Sequence, residues 1–177
     1  VKNERRQIIV KTKRVNEFVK GQDLFTSTGI SRVKVTKDDK VECLEIPITS
    51  TGVAELIDAL QEKAPQPPMS NKLVNPDDDM GREMGLSKKT WVKVLDTSDP
   101  TYIKQKEDHE TNLGLAIVLK GINVEIKNEK GVVVENDQEK IEILKGMGLS
   151  GDQFSQIVED IQALTKWSEE EQTHFFD

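Results

Sequence analysis

Apolar and polar positions follow different rhythms along this chain, and each rhythm predicts a different element. In "GISRVKV", residues 29–35, Ile30, Arg32 and Lys34 alternate with Ser31, Val33 and Val35. A period of two is a strand signal. A second run, "VECLEIPI" at 41–48, follows a "TKDDK" turn, so the pair predicts a β hairpin. Pro47 has no N–H for a central ladder, so its strand ends or lies at an edge there. Residues 8–15, apolar, β-branched and studded with Lys and Arg, read as a further strand. The rhythm then changes. Val53, Leu56, Ile57 and Leu60 fall at helical spacing and form one apolar stripe. Thr51 can N-cap that helix, Glu55 suits its positive end, and Pro65 stops it.

Residues 64–79, "APQPPMSNKLVNPDDD", contain four prolines and no periodicity. They read as a linker. Beyond them the pattern turns helical. Asp99 followed by Pro100 is a helix start, a capping side chain and then a proline at the first position. The stripe runs through Tyr102, Ile103, His109, Leu113, Ala116, Ile117 and Leu119 to Gly121, which suits a helix end. This helix is about 20 residues, roughly 30 Å, long. Its second half, "LGLAIVLKG", is apolar nearly all round and is expected to be the buried half. Residues 122–136 read as a small hairpin around Asn128–Gly131, or as a loop. A short helix with Ile141, Leu144 and Met147 in register follows.

Two stretches, "MGLSKKTW" at 84–91 and "MGLSGDQF" at 147–154, share a tetrapeptide and then an aromatic four residues after the serine. In both, glycine (Gly85, Gly148) suits the position just past a helix. Leucine (Leu86, Leu149) and the aromatic (Trp91, Phe154) suit a hydrophobic staple around a serine cap. Gln153 completes a capping box with Ser150. "KWSEEEQ" repeats the theme with Trp167, Ser168 and Glu171. The motif therefore predicts three helix starts and carries no chemistry of its own. The helix after Ser150 bears Asp152, Glu159 and Asp160 and no basic residue before Lys166. Phosphates would repel it, so these corners are not a DNA-reading pair.

The expected fold class is α+β. An N-terminal hairpin or small sheet with one helix, residues 1–64, is followed by a linker, 65–80, and a mainly helical domain, 81–177. Of the 177 residues 35% are hydrophobic, 32% charged and only 5% aromatic. Such a chain buries a thin core, and a partner or a second copy could complete it. The net charge of −7 argues against general nucleic-acid binding, which needs clustered cations. Charge is uneven, with a basic stretch over residues 1–40 and an acidic one over 135–177. No apolar run approaches a membrane span. The opening "VKNERRQIIV" has no signal-peptide core, and the lone Cys43 suits a reducing compartment. The expected location is the cytoplasm.

Candidate chemistry is sparse. There is no Gly-rich phosphate loop. His109 and His174 have no Cys or His at ligand spacing. Cys43 lies in a strand and reads as a buried, inert thiol. The acids of "NPDDD" are consecutive, whereas a calcium loop needs them at alternate positions. The expectation is therefore a chain without cofactor or metal and without catalytic residues, acting by binding. Phe175 and Phe176, at an acidic C-terminus, either dock on the core beside Trp167 or form an adhesive patch. With Leu115, Ile117 and Val118 of the apolar half-helix, they are the candidate partner-binding residues.

At "WVKVLDTSDPTYIKQKEDHETNLGLAIVLKGINVEI" (91–126) and "EKIEILKGMGLSGDQFSQIVEDIQALTKWSEEE" (139–171) the chain resembles small proteins of tailed-phage and prophage tail modules, the tail assembly chaperones. The resemblance covers about residues 90–172. It rests on layout: a polar-then-apolar helix, a "LKG" exit, an acidic loop and a capped helix pair. It implies a non-enzymatic protein of the bacterial host cytoplasm whose partners are the tape-measure protein and tail-tube subunits. A structural tail component and a small enzyme are the alternatives.

Overall fold

The computed structural model describes residues 13–166. The elements in chain order are β1 (Thr28–Lys37), β2 (Lys40–Thr49), α1 (Val53–Gln61), β3 (Met69–Val74), α2 (Asp79–Glu83), β4 (Thr90–Leu95), α3 (Pro100–Gly121), α4 (Asp137–Gly146) and α5 (Gly151–Ala163). The class is α+β, with an antiparallel N-terminal hairpin and a mainly helical C-terminal half. The chain forms two compact units. Among the described residues, one is built from 13–57 and 114–166, the other from Asp58–Leu113. This division differs from the expected partition into 1–64, a linker 65–80 and 81–177. Composition along a chain reports contiguous segments only, while the first unit is discontinuous. The 65–80 stretch, expected to be a linker, supplies β3. Of the strand expected at 8–15, residues 8–12 lie outside the described residues, and 13–15 are not in a strand.

In the first unit, β1 and β2 pair with Lys37 opposite Lys40 across the turn Asp38–Asp39, whose φ angles are 48° and 60°. Two left-handed residues in a two-residue loop match the twist of the strands, and Asp tolerates that region better than most side chains. Antiparallel pairs alternate between hydrogen-bonded and open ones. The tight turn makes Lys37–Lys40 a bonded pair, so Ile30–Pro47 is open and Pro47 costs the ladder no bond. The Pro47 carbonyl instead faces outward and accepts from the Asn123 N–H at 2.9 Å, beside an isolated bridge between Ile48 and Ile122.

One face of this hairpin carries Gly29, Ser31, Val33 and Val35, opposite Ile48, Ile46, Leu44 and Glu42. Helix α5 packs against β1. The unit buries Val33, Ile48, Ile117, Val118, Ile157 and Ile161, so the apolar half of α3 belongs to the interior, as its composition predicts. Gly114 sits against the Phe154 ring and Gly121 against Ile161. Ser31, fully buried, donates to Asp160 Oδ2 at 2.6 Å, and Gln156 Nε2 donates to Asp160 Oδ1 at 2.9 Å. The buried hydroxyl is thus satisfied from α5. The hairpin expected around Asn128–Gly131 is short: one bridge, Lys127–Val133, flanked by hydrogen bonds from the Asn128 N–H to the Val132 carbonyl at 3.0 Å and from the Val134 N–H to the Ile126 carbonyl at 2.9 Å, around a turn at Gly131.

The shared tetrapeptide ends two helices in the same way. After α4, the Leu149 N–H donates to the Leu144 carbonyl and the Gly148 N–H to that of Lys145, with Gly148 at φ 86°. After α2, Leu86 donates to Gly81 and Gly85 to Arg82, with Gly85 at φ 64°. Both are Schellman closures. Beyond the serine the two copies diverge. Ser150 Oγ accepts from the Gln153 N–H at 3.3 Å, and Gln153 Oε1 accepts from the Ser150 N–H at 2.9 Å, a full capping box. Ser87 starts no helix: β4 begins at Thr90 and Trp91 lies in it. The expected helix start there is corrected. Thr90, Val92 and Val94 are β-branched and favour a strand, and Thr90 stands where a capping box needs Glu or Gln. The start expected at Ser168 lies outside the described residues.

Candidate protein-binding face

The second hairpin has a simple register. Met69 faces Leu95, Ser70 faces Val94, Asn71 faces Lys93, Lys72 faces Val92, Leu73 faces Trp91 and Val74 faces Thr90. The Asp96 N–H donates to the Pro68 carbonyl at 2.7 Å, which makes Pro68–Asp96 a bonded pair and fixes the alternation. Ser70–Val94, Lys72–Val92 and Val74–Thr90 are then bonded pairs. Met69–Leu95, Asn71–Lys93 and Leu73–Trp91 are the open pairs, whose side chains stand closest together.

The two faces differ sharply. Val74 is buried, and Thr90, Val92 and Val94 are half-buried on one side. The other side stands open to solvent, with Met69 60%, Leu73 43%, Trp91 67% and Leu95 60% exposed. Asn71 and Lys93, also exposed, lie between the two apolar pairs. Together the four apolar side chains expose on the order of 400 Å², a size at which a patch on a monomer is commonly functional. Lys93 has no ion-pair partner among the described residues. At the far end of β4, Asp96 Oδ1 accepts from the Ser98 N–H at 3.0 Å and its hydroxyl at 2.6 Å. These bonds, the hydroxyl first, hold the Asp96 carboxyl below the usual range.

The residues singled out in the sequence fall elsewhere. Ile117 and Val118 are in the chain's own core, and Leu115 is half-buried beside them. Ile117 and Val118, expected to meet a partner, are covered by the first unit itself. Phe175 and Phe176, like His174, lie outside the described residues. His109 is half-buried on α3. Cys43, expected to be buried, is exposed: it pairs with Lys34 on the face that α5 does not cover. Of the "NPDDD" acids, Asp78 accepts from the backbone and side chain of Asn75 at 3.1 and 3.2 Å, and Asp79 pairs with Arg82 at 2.7 Å. Both are engaged in local structure.

Two further features stand in the first unit. Phe18 and Phe25 are exposed, with ring centroids 5.9 Å apart. A shallow groove of about 350 Å³ is lined by Arg32, Val33, Lys34, Ser150, Asp152, Gln153 and Gln156. Its polar groups are largely engaged within the fold. Gln153 Nε2 donates to the Lys34 carbonyl at 2.8 Å, and Arg32 pairs with Glu45 at 2.9 Å. This groove is a seam between α5 and the edge of β1.

Sequence reasoning missed the open face. The available signal was "TWVKVL", with Trp91, Lys93 and Leu95 at alternate positions. Among the described residues no helix is long and apolar enough to cross a membrane. Comparison of the chain with protein-family models, with curated proteins and with solved structures found no match.

Proposed function

We propose that this chain is a non-enzymatic protein-binding factor, acting as an assembly chaperone of a phage or prophage tail module in the bacterial host cytoplasm. The open β3–β4 face supports the binding role. A lone two-stranded hairpin gains little from leaving a tryptophan, a methionine and two leucines in water. The same side chains gain on docking, because they are already aligned on a pleated surface. The tail-module role rests on the layout of residues 90–172, and it makes the tape-measure protein and tail-tube subunits the partners.

Co-expression with the tape-measure protein of the same module, followed by affinity capture, tests the proposal. Recovery of that protein by the wild-type chain and its loss with Trp91→Ser supports the reading. Co-purification of the chain in mature particles would make it a structural tail component. Capture of no tail protein, together with turnover of a small molecule, would overturn both.

A further inference from the structure

We infer that β4 recognises an extended partner segment of the form apolar–any–acidic–any–apolar, added as a third strand along its free edge. This inference rests on the protein-binding reading and specifies the partner's chemistry. Because Trp91, Lys93 and Leu95 lie in open pairs, their N–H and C=O groups point away from β3. Among the described residues no hydrogen bond reaches them. A free strand edge of this kind is a template for an incoming strand. The opposite edge is a poorer template. Beyond Met69 its next outward position is Pro67, which has no N–H.

Residues directly opposite one another in a sheet share a face. A strand paired with β4 would therefore set its own side chains beside Trp91, Lys93 and Leu95 at a period of two. The apolar ends of that row call for apolar neighbours. The centre calls for a carboxylate. Any strand that covers Trp91 and Leu95 also takes water from the ammonium of Lys93 between them, and a charge losing water without a partner is costly. Asn71 across the hairpin is neutral and cannot neutralise it. Acidic residues opposite Lys93 are thus favoured and basic ones disfavoured, as for any directly opposed charge pair.

Selection of random peptides displayed on a surface against the 177-residue chain, its Lys93→Glu variant and its Trp91→Ser variant tests this. Both positions are exposed, so neither change should disturb folding. The wild type should enrich peptides with Asp or Glu two positions from an apolar residue on each side. Lys93→Glu should weaken those peptides about tenfold and enrich Lys or Arg at the central position. Peptides that need Trp91 but bind Lys93→Glu as well as wild type would sink the inference and leave the binding face standing. Peptides indifferent to both substitutions would sink the binding face as well. An empty selection overturns the inference, while capture of the tape-measure protein decides the broader reading separately.

Discussion

Gly121→Ala should destabilise the first unit, although alanine is the better helix former. An ideal Cβ at position 121 would lie 2.5 Å from Cδ1, 2.7 Å from Cγ2 and 2.9 Å from Cγ1 of Ile161. Real Cβ atoms essentially never come within 3.0 Å of a heavy atom elsewhere in the chain, so something must move. Two effects oppose. Removing glycine from a helix is worth up to about 1 kcal/mol, and less at its last position. Overpacking a filled core costs about 1–3 kcal/mol. Ile161 decides the sign. It is buried, and its β-branch is stiff at χ1, so it cannot swing aside as a flexible chain end would. The expected net loss is about 1–2 kcal/mol, a fall in Tm of about 2–8 °C for a chain of this size. Urea unfolding followed by far-UV circular dichroism measures it. The same substitution in an Ile161→Val background, which lacks Cδ1, should cost less, with a coupling of at least about 0.5 kcal/mol. Equal costs in the two backgrounds, or a gain in stability, would refute the packing of α3 on α5 and with it the discontinuous unit.

Ser150→Ala should cost about 1 kcal/mol as a lost cap, whereas Ser87→Ala, in the twin tetrapeptide, should be nearly neutral; equal losses in denaturant titration would contradict the strand at Trp91. Asp96 should titrate below ordinary aspartates by NMR, and Ser98→Ala should raise its midpoint, since the hydroxyl bond favours the charged form. Its depressed value adds stability above the ordinary aspartate range that is lost as pH falls through the lowered folded value; an unmoved midpoint would remove Ser98 as the cause. Cys43 should react with a thiol reagent in native buffer at the rate of an exposed cysteine, and protection until unfolding would show the face to be covered.

The range of an interaction along the chain decides whether the sequence discloses it. The β1–β2 hairpin is written in neighbouring residues, with alternation on both sides of an Asp pair. The start of α3 is written in Asp99, whose Oδ1 accepts from the Tyr102 N–H at 2.8 Å. The glycine of each "MGLS" predicts a helix end, and both helices end there. Facing is different. Alternation says that Cys43 and Leu44 point opposite ways, but which side α5 covers depends on residues far along the chain. The β3–β4 hairpin was hidden for another reason. A strand with one polar face announces itself by alternation, whereas in "TWVKVL" both faces carry apolar side chains and only Lys93 interrupts them. The proline-rich approach to Met69 then made the first strand look like a linker. A strand that is apolar on both faces erases the pattern by which strands are read.

The buried and the exposed apolar side chains of this molecule form two distinct sets. Val33, Ile48, Ile117, Val118, Ile157 and Ile161 are buried within the first unit. Met69, Leu73, Trp91 and Leu95 keep much of their surface in water. Replacing one of the exposed four by a polar residue gives up little burial, and replacing one of the buried six by alanine removes a transfer term and leaves a cavity, about 2–5 kcal/mol for isoleucine. The exposed set also carries a cost in solubility, since apolar side chains on a free hairpin edge invite aggregation. A fold gains nothing from that exposure. Docking of a partner strand along β4 would remove it, pairing the outward N–H and C=O groups of Trp91, Lys93 and Leu95 while covering their neighbours. The partner would then act as the missing third strand, and the chain with its partner should resist aggregation better than the chain alone.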